Sequence, residues 1–274
     1  MTPTAARVGR DGRLTLRFER RGSRTVVARC GYTLPLQVLA PLALDDPAAV
    51  VSVLNPTGGL VGGDTLALDV EVAPGAHACL TTPSATKVYR ATSCPARQDV
   101  TLRVAAGARL EWVPDHTIPF AGAAFRQTLT AHVAEGAALV LVDAFAAGRV
   151  ARGETWEFAL LESALGIDDA RGRLLHDRFR LRAGGLQGLG VTEGRPYFAT
   201  VAVVADAGVE RFAARVREVA AAGATVGVGL LPRRGAVVRC LASDAPALVS
   251  AISRVWNAAR GEVLALPPVD LRKS

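Results

Sequence analysis

A five-residue pattern occurs three times in the first half of the chain, and it constrains the fold more than any other feature. The pattern is Val-Ala, any residue, then Gly-Ala, at positions 72–76, 104–108 and 133–137. An alternating apolar and polar segment precedes each copy, and a second strand-like segment follows it. Because glycine adopts turn conformations at little steric cost, we interpret each copy as a hairpin-like turn between two strands.

The glycines of this pattern recur about every 30 residues, an interval that is compatible with two architectures. In the first, the strand–turn–strand units stack as coils, and each coil covers the open face of its neighbour. In the second, ordinary hairpins form a meander within a sandwich. We favour stacking, so the predicted fold is mainly β, with a solenoid-like (β-helical) body.

The last third of the chain predicts a C-terminal α+β portion with two α-helices. The first helix ends near Gly223, and the second begins near Pro246 with Ser243 or Asp244 as its N-cap. Strands are predicted at 197–204, 225–231 and 236–241, giving the order β-α-β-β-α. The apolar helix faces contain Val209, Phe212, Val216 and Val219, and Leu248, Ile252, Val255 and Trp256. We place the stacked body at 1–195 and this portion at 196–274, packed as one continuous unit.

Composition bounds the class of protein. Half of the 274 residues are hydrophobic, yet no run of about 18 uncharged apolar residues predicts a membrane span. The segment 1–24 is polar and arginine-rich and lacks the apolar centre of a secretory signal, so we expect a cytoplasmic protein. The cysteines have no Cys-x-x-Cys spacing, and we expect free buried thiols. They are Cys30, Cys79, Cys94 and Cys240.

The net charge of +7 comes from arginine, because Lys87 and Lys273 are the only lysines. A basic surface favours acidic partners or nucleic acid. The densest arginine cluster lies at 17–29 and shows neither an RNA-binding nor a helix-turn-helix pattern. We interpret it as a solvated strand face and turn.

The segment 55–64 contains four glycines in six positions, from Gly58 to Gly63. The spacing suggests a phosphate loop, but such a loop needs lysine at the next position, where this chain has Asp64. Asp64 could be a metal ligand or a cap that accepts backbone N–H groups from its own turn, and we favour the cap. The segment is therefore not predicted to bind nucleotide.

Four ordered motifs resemble the UreD (UreH) family of urease accessory proteins. They are Asn-Pro-x-Gly-Gly-x-Val-Gly-Gly-Asp at 55–64, Leu-Thr-Thr-Pro-x-Ala-Thr-Lys-x-Tyr-Arg at 80–90, a Leu-Glu-Trp segment at 110–118, and Gly-Arg-x-x-x-Gly-Glu at 148–154. The chain departs from the family at Asp115-His116 and at 266–270. Candidates for partner contact or a nickel path are Asn55, Gly58, Gly59, Gly62, Gly63, Asp64, Thr81, Thr82, Lys87, Tyr89, Arg90, Glu111, Asp143, Arg149 and Glu154.

The resemblance implies a largely β-stranded, helical fold and a non-catalytic role in urease maturation. It implies binding to apo-urease and to UreF and, through UreF, to the nickel-carrying GTPase UreG. The nucleotide chemistry would then belong to the GTPase. We expect no tightly bound cofactor, only transient Ni²⁺, and neither a membrane nor nucleic acid as partner. As a hypothesis, the glycine doublets and Thr81-Thr82 line a polar path for nickel.

Metal and ion-pair candidates are few. His77 and Cys79 point to the same side of a strand and, with Asp64, are weak metal candidates, although two or three such ligands are a small set. Lys87 and Arg90 are predicted either to pair with Asp64 or Glu111 or to form an interaction surface. For Asp143 and Arg149 we favour buried ion pairing. The remaining histidines are interpreted as strand or surface residues; they are His116, His132 and His176.

Two other classes of function remain open. A nucleic-acid-binding module would account for the arginine surplus and predicts binding that weakens steeply with salt. An enzyme would use the glycine segment as a ligand cradle and predicts a deep pocket with titratable groups near Asp64. The sequence contains neither HExxH nor GxSxG.

Overall fold

A computed structural model describes residues 10–271, except 43, 45, 185, 187–190 and 220. Lys273 and the first nine residues of the polar N-terminal segment lie outside the described residues. The chain forms two β-sheets that face each other, with one apolar core between them and a second beneath two helices. No helix among the described residues is long and apolar enough to cross a membrane.

The first sheet has seven strands. In spatial order they are β14 (Gly172–Leu181), β13 (Leu160–Asp169), β11 (Ala124–Val133), β8 (Ala96–Val104), β5 (Thr65–Val72), β1 (Asp11–Arg21) and β2 (Arg24–Thr33). Strands β1, β5, β8, β11 and β13 are parallel, and the two edge strands are antiparallel to their neighbours.

The second sheet is larger, and its main path contains eight strands. In spatial order they are β16 (Ala224–Leu230), β17 (Gly235–Ala242), β15 (Tyr197–Val204), β12 (Ala138–Ala146), β9 (Arg109–Trp112), β6 (His77–Thr81), β4 (Ala49–Leu54) and β3 (Gln37–Val38). The short strands β7 (Thr86–Val88) and β10 (Thr117–Pro119) pair with each other beside it.

The chain alternates between the two sheets and forms a β-solenoid of about four turns. The prediction of stacked coils is therefore confirmed, and the hairpin interpretation of the repeat is wrong. Each Val-Ala-x-Gly-Ala copy is a corner that links strands of opposite sheets, because the strands on its two sides pair with the next coil. The Ala105 N–H donates to the Val72 carbonyl over 3.0 Å, and the Ala134 N–H donates to the Val104 carbonyl over 2.9 Å.

Glycine is favoured at these corners by their backbone conformation, and the stacked corners are in van der Waals contact. Gly75, Gly107 and Gly136 have φ values of 69°, 67° and 73°, a region that side chains with a Cβ rarely adopt. A Cβ added to Gly136 would lie 3.5 Å from the Gly107 nitrogen of the previous coil. Along the strands, alternate residues are buried, as in β5, and they form the core between the sheets.

The C-terminal portion has the predicted order β-α-β-β-α. Strand β15 pairs antiparallel with β12, so β15, β17 and β16 extend the second sheet beyond the coils. Helix α1 (Val209–Arg217) and helix α2 (Ala245–Ala259) cover its outer face. The Asp244 carboxylate accepts from the Ala247 N–H over 2.8 Å, which confirms the predicted N-cap. After α2 the chain continues as a π-helical turn, Arg260–Leu264.

The cysteines divide into two pairs. Cys79 and Cys240 are buried, as expected, but the prediction was wrong for Cys30 and Cys94, which are exposed. Cys30 lies on β2, the last strand of this sheet among the described residues, and Cys94 lies in the loop before β8. Burial raises the pKa of the Cys240 thiol to about 12.

Candidate functional site

The glycine segment is folded onto itself by side chains at its start. The Asn55 side chain accepts from the Thr57 N–H over 3.0 Å and donates to the Gly59 carbonyl over 3.1 Å. At its end, the Asp64 carboxylate accepts from the Val61 N–H over 2.8 Å, so the predicted cap is present. These contacts fix the two ends of the turn, and other groups of the segment bond to neighbouring residues, as the Leu60 N–H does to the Lys87 carbonyl over 2.9 Å.

The glycines allow the segment to lie against two neighbouring stretches of backbone. A Cβ on Gly59 would be 2.5 Å from the Lys87 carbonyl oxygen, and one on Gly62 would be 2.9 Å from the Cys94 carbonyl oxygen. Leu60 also pairs with Val88 in a short parallel bridge. Glycine is therefore needed here for close approach between backbones.

The motifs converge at the end of the coils opposite the Val-Ala-x-Gly-Ala corners, which we call the motif end. There the Tyr89 hydroxyl donates to the Gly58 carbonyl over 3.3 Å, and the Tyr89 ring lies edge-on to Phe120 at 5.1 Å. The Arg149 guanidinium lies 4.3 Å from the Phe120 ring centre and forms an ion pair with Glu154. The motif end thus consists of Gly58, Tyr89, Phe120, Arg149 and Glu154 in one chain of contacts.

The predicted pairings of the charged motif residues are corrected by these contacts. Arg149 pairs with Glu154 and not with Asp143, because the turn at Val150–Arg152 brings residues five apart together. Asp64 lies 3.4 Å from Arg10, and Glu111 pairs with Arg260. Neither pairs with Lys87 or Arg90, whose side chains are exposed at the motif end.

A cavity of about 70 Å³ lies between the two sheets beside the motif end. Since one water molecule needs roughly 10–15 Å³ of such space, it can hold several. Its wall contains Leu60, Trp112 and other apolar side chains, together with oxygen-bearing ones. The oxygen-bearing residues are Asn55, Thr82, Thr86, Gln98, Asp115, Thr117, Gln127 and Asp143. Among the described residues, the four glycines and Thr81 are not part of this wall, and Thr81 donates to the Val113 carbonyl instead.

Asp143 is the buried carboxylate of this cavity. It faces inward from β12 and accepts from the Gln127 amide over 2.8 Å and from the Ser163 hydroxyl over 3.0 Å. Burial raises the pKa of Asp143 to about 6, although both hydrogen bonds act in the opposite direction. Among the groups farther away, Asp177 raises the pKa and Arg239 lowers it. Asp143 can therefore change its protonation state near neutral pH.

A second polar cluster lies on the other face of β6 and β9, beneath α2. The Glu111 carboxylate lies 2.8 Å from His77 Nε2, which donates to it when protonated, and accepts from Trp256 Nε1 over 2.6 Å. One Arg260 nitrogen donates to both Glu111 oxygens over 2.7 and 2.8 Å, and another contacts Asp46. Burial raises the pKa of the Glu111 carboxyl, but its charged and hydrogen-bonding partners outweigh this and place the pKa below its ordinary value.

His77 and Cys79 share a face, as predicted, but they have different surroundings. His77 contacts Glu111, whereas Cys79 is fully buried in the apolar core under the helices. Within the described part of the chain, no three His, Cys, Asp or Glu side chains are grouped closely enough to hold a metal ion. Metal binding by Asp64, His77 and Cys79 therefore stays a prediction.

Several residues of these two clusters were missed from the sequence. Gln127 and Ser163 occupy inward positions of β11 and β13, where the alternation calls for apolar residues. A polar residue at such a position was a usable signal. Arg260 and Asp46 gave no signal, because their partners are distant in sequence and the contact depends on how α2 packs.

The fold and site define a class: a β-solenoid with a polar internal cavity and with loop motifs gathered at one end of its coils. A family model described as UreD urease accessory protein matches residues 10–274. The chain therefore belongs to the UreD family.

Relatives named "Urease accessory protein UreD" agree with this assignment. The protein from Deinococcus radiodurans is 35% identical over 267 residues, which cover 96% of this chain and 95% of that protein. The one from Alkalilimnicola ehrlichii is 35% identical over 281 residues, covering 98% and 94%. The one from Actinomyces naeslundii is 32% identical over 269 residues, covering 96% and 98%.

Proposed function

We propose that this protein is a non-catalytic scaffold in urease maturation. It links apo-urease to the accessory proteins UreF and UreG, so that nickel enters the urease active site in a GTP-dependent step. Membership of the UreD family along residues 10–274 supports the general role. The link to UreF and UreG and the GTP-dependent step belong to the proposal alone.

The observation that carries the nickel part of the proposal is the oxygen-lined cavity between the sheets. Hydroxyl and amide oxygens from Thr82, Thr86 and Gln127 are weak ligands for Ni²⁺, which binds imidazole and thiolate more firmly. A cation in passage needs such weak ligands, because tight ones would retain it. Asp143 adds one buried carboxylate that can balance the charge of the ion.

The other buried carboxylates have structural partners, which agrees with a scaffold role. Glu111 is bonded to Arg260, Trp256 and His77, and Asp64 accepts from the Val61 N–H of its own turn. Each joins segments that are far apart in sequence or caps a loop, so each serves the fold. We place the protein in the cytoplasm with its partners, with nickel as transient cargo and with no role for nucleic acid.

The experiment is nickel loading in cells that carry the urease gene cluster. Deleting this protein should leave urease poor in nickel, and replacing Asp143 with Asn should lower urease nickel content while the assembly still co-purifies. Asp99→Asn is the matched control, because it makes the same change on the outer face of the first sheet. Normal nickel content after deletion would remove the proposal. Normal urease nickel content in D143N, with low content after deletion, would show that the cavity has no role in nickel transfer.

A further inference from the structure

The outer face of the seven-stranded sheet has a concentrated positive charge. Along each strand, every second side chain is buried and the others point outward. The outward side chains of neighbouring strands therefore lie side by side on this face. The arginines on it are Arg13, Arg17, Arg21, Arg24, Arg29, Arg97, Arg103, Arg126, Arg173, Arg178 and Arg180. The carboxylates are Asp11, Glu19, Asp69, Glu71, Asp99, Glu162 and Asp168. The eleven arginines and seven carboxylates together contribute +4 to the formal net charge of +7.

The imbalance is greatest around Glu162 on β13. Arg178 lies 2.5 Å from this carboxylate, Arg126 lies 3.5 Å from it, and Arg180 lies 3.9 Å from it. Arg97 stands directly opposite Arg126 in the register of β8 and β11, which places two like charges side by side. We call Arg97, Arg126, Arg178, Arg180 and Glu162 the arginine groove.

The guanidinium groups of the arginine groove have donors to spare. Around Glu162, the guanidiniums of Arg126, Arg178 and Arg180 carry about fifteen N–H donors, whereas one carboxylate offers about four acceptor positions. Arg97 donates to both oxygens of Asp99. The four arginine side chains are 60%, 54%, 58% and 49% exposed, so their remaining donors face outward. The depression lined by Arg97, Arg126 and Arg178 has a volume of about 360 Å³ and is open to solvent. Its geometry suits an incoming planar anion that accepts two parallel hydrogen bonds.

We propose that the arginine groove binds a carboxylate-rich segment of a protein partner. Aspartate and glutamate side chains match the guanidinium fork, and a protein segment can place its acidic groups between the carboxylates already on this face. The proposal rests on the proposed function only in expecting the segment to belong to the urease assembly.

Nucleic acid fits this face less well. Asp99 and Glu162 lie within or beside the groove, and evenly spaced phosphates would be repelled by them. The groove itself also presents no phenyl ring on which a base could stack, because Phe125 of β11 and Phe179 of β14 point into the protein interior. The interspersed charges favour a partner with its own pattern of charges, which a folded or flexible protein segment provides.

The test compares two double variants with the same change of charge. Arg126→Glu with Arg178→Glu alters the groove, and Arg215→Glu with Arg254→Glu alters exposed positions on α1 and α2. The probes are a fluorescein-labelled hexaglutamate peptide, a hexalysine peptide and a 20-base-pair DNA duplex, with anisotropy measured at roughly 150 mM salt. We expect binding of hexaglutamate that weakens by about tenfold or more in the groove variant and less than about twofold in the helix variant.

Equal weakening in both double variants, no binding of hexaglutamate, or tighter binding of the duplex than of the peptide would each overturn the inference. Arg126→Gln with Arg178→Gln serves if the glutamates beside Glu162 disturb folding, and it should also weaken binding. In cells, the groove variants should capture less apo-urease, UreF or UreG. If deletion of the protein abolishes nickel loading while the groove variants capture all three normally, this inference fails and the proposed function stands.

Discussion

Arg260 and Glu111 form a fully buried ion pair that joins the end of α2 to the coil strand β9, although they are 149 positions apart in sequence. Arg260 also contacts the buried carboxylate of Asp46 and donates to the Pro267 carbonyl over 2.8 Å. The π-helical turn that begins at Arg260 positions it directly after α2. The C-terminal portion is therefore fixed to the solenoid by charge as well as by its apolar core.

Replacing Arg260 with Met should destabilise the protein by about 3–5 kcal/mol, because Glu111 would remain buried without its cationic partner. Urea unfolding followed by circular dichroism measures this change. Arg215→Ala removes an exposed pair with Glu218 and should cost less than about 1 kcal/mol. A similar small cost for R260M would show that the buried pair contributes little.

Asp143 should make stability depend on pH in a defined window. Its folded pKa of about 6 lies above the ordinary value of 3.8, so the folded state holds this proton more tightly than the unfolded state does. The stabilisation is complete below the ordinary value and is lost as pH rises through about 6. At pH 7, ionisation of this buried carboxyl therefore lowers the free energy of unfolding by on the order of 3 kcal/mol relative to low pH.

Asp143→Asn should therefore be more stable than the natural protein at neutral pH, and the difference should disappear near pH 4. Unfolding free energies at several pH values measure it, and D99N again controls for loss of a carboxylate on the surface. Parallel curves for D143N and the natural protein would mean that Asp143 titrates normally.

Gly59 and Gly153 offer a matched test of close approach. Both have positive φ, 155° and 80°, but a Cβ on Gly59 would meet the Lys87 carbonyl at 2.5 Å, whereas a Cβ on Gly153 meets nothing within 4 Å. We expect Gly59→Ala to cost about 2–4 kcal/mol and Gly153→Ala about 1 kcal/mol in thermal or urea unfolding. Equal costs would assign the requirement at Gly59 to backbone conformation alone. A bulky residue at Gly59 or Gly62 should accordingly disturb folding before it affects nickel.

The four thiols should react in two groups. At about pH 8, iodoacetamide should modify Cys30 and Cys94 in the folded protein, because they are exposed. Cys79 and Cys240 should react only after unfolding, since they are buried and the pKa of Cys240 is raised to about 12. Peptide mass spectrometry with and without urea measures the pattern. Early labelling of Cys240 would show that β17 opens readily in the native state.

Local pattern was sufficient where one segment carries the whole signal. The alternation in β5 and β11, a cap at Ser243 or Asp244 and the apolar face of α2 could be predicted, because each depends on neighbours within a few residues. The apolar face of α1 was predicted too long, since α1 ends at Arg217, before Val219 and Gly223. The same pattern could not show that a Val-Ala-x-Gly-Ala copy links opposite sheets. A turn within one sheet and a corner between two sheets both require a residue with positive φ, so glycine is expected in each case.

By itself the sequence favoured the stacked β architecture and determined the C-terminal helices and the family, since periodicity and ordered motifs are properties of the chain alone. Only the tertiary structure decided which charges meet. It paired Glu111 with Arg260 and Arg149 with Glu154, and it buried Asp143 beside Gln127 and Ser163. Which charges pair depends on their distance and burial in space. Stacked coils bring together residues that are far apart along the chain, so sequence separation predicts neither the distance nor the burial.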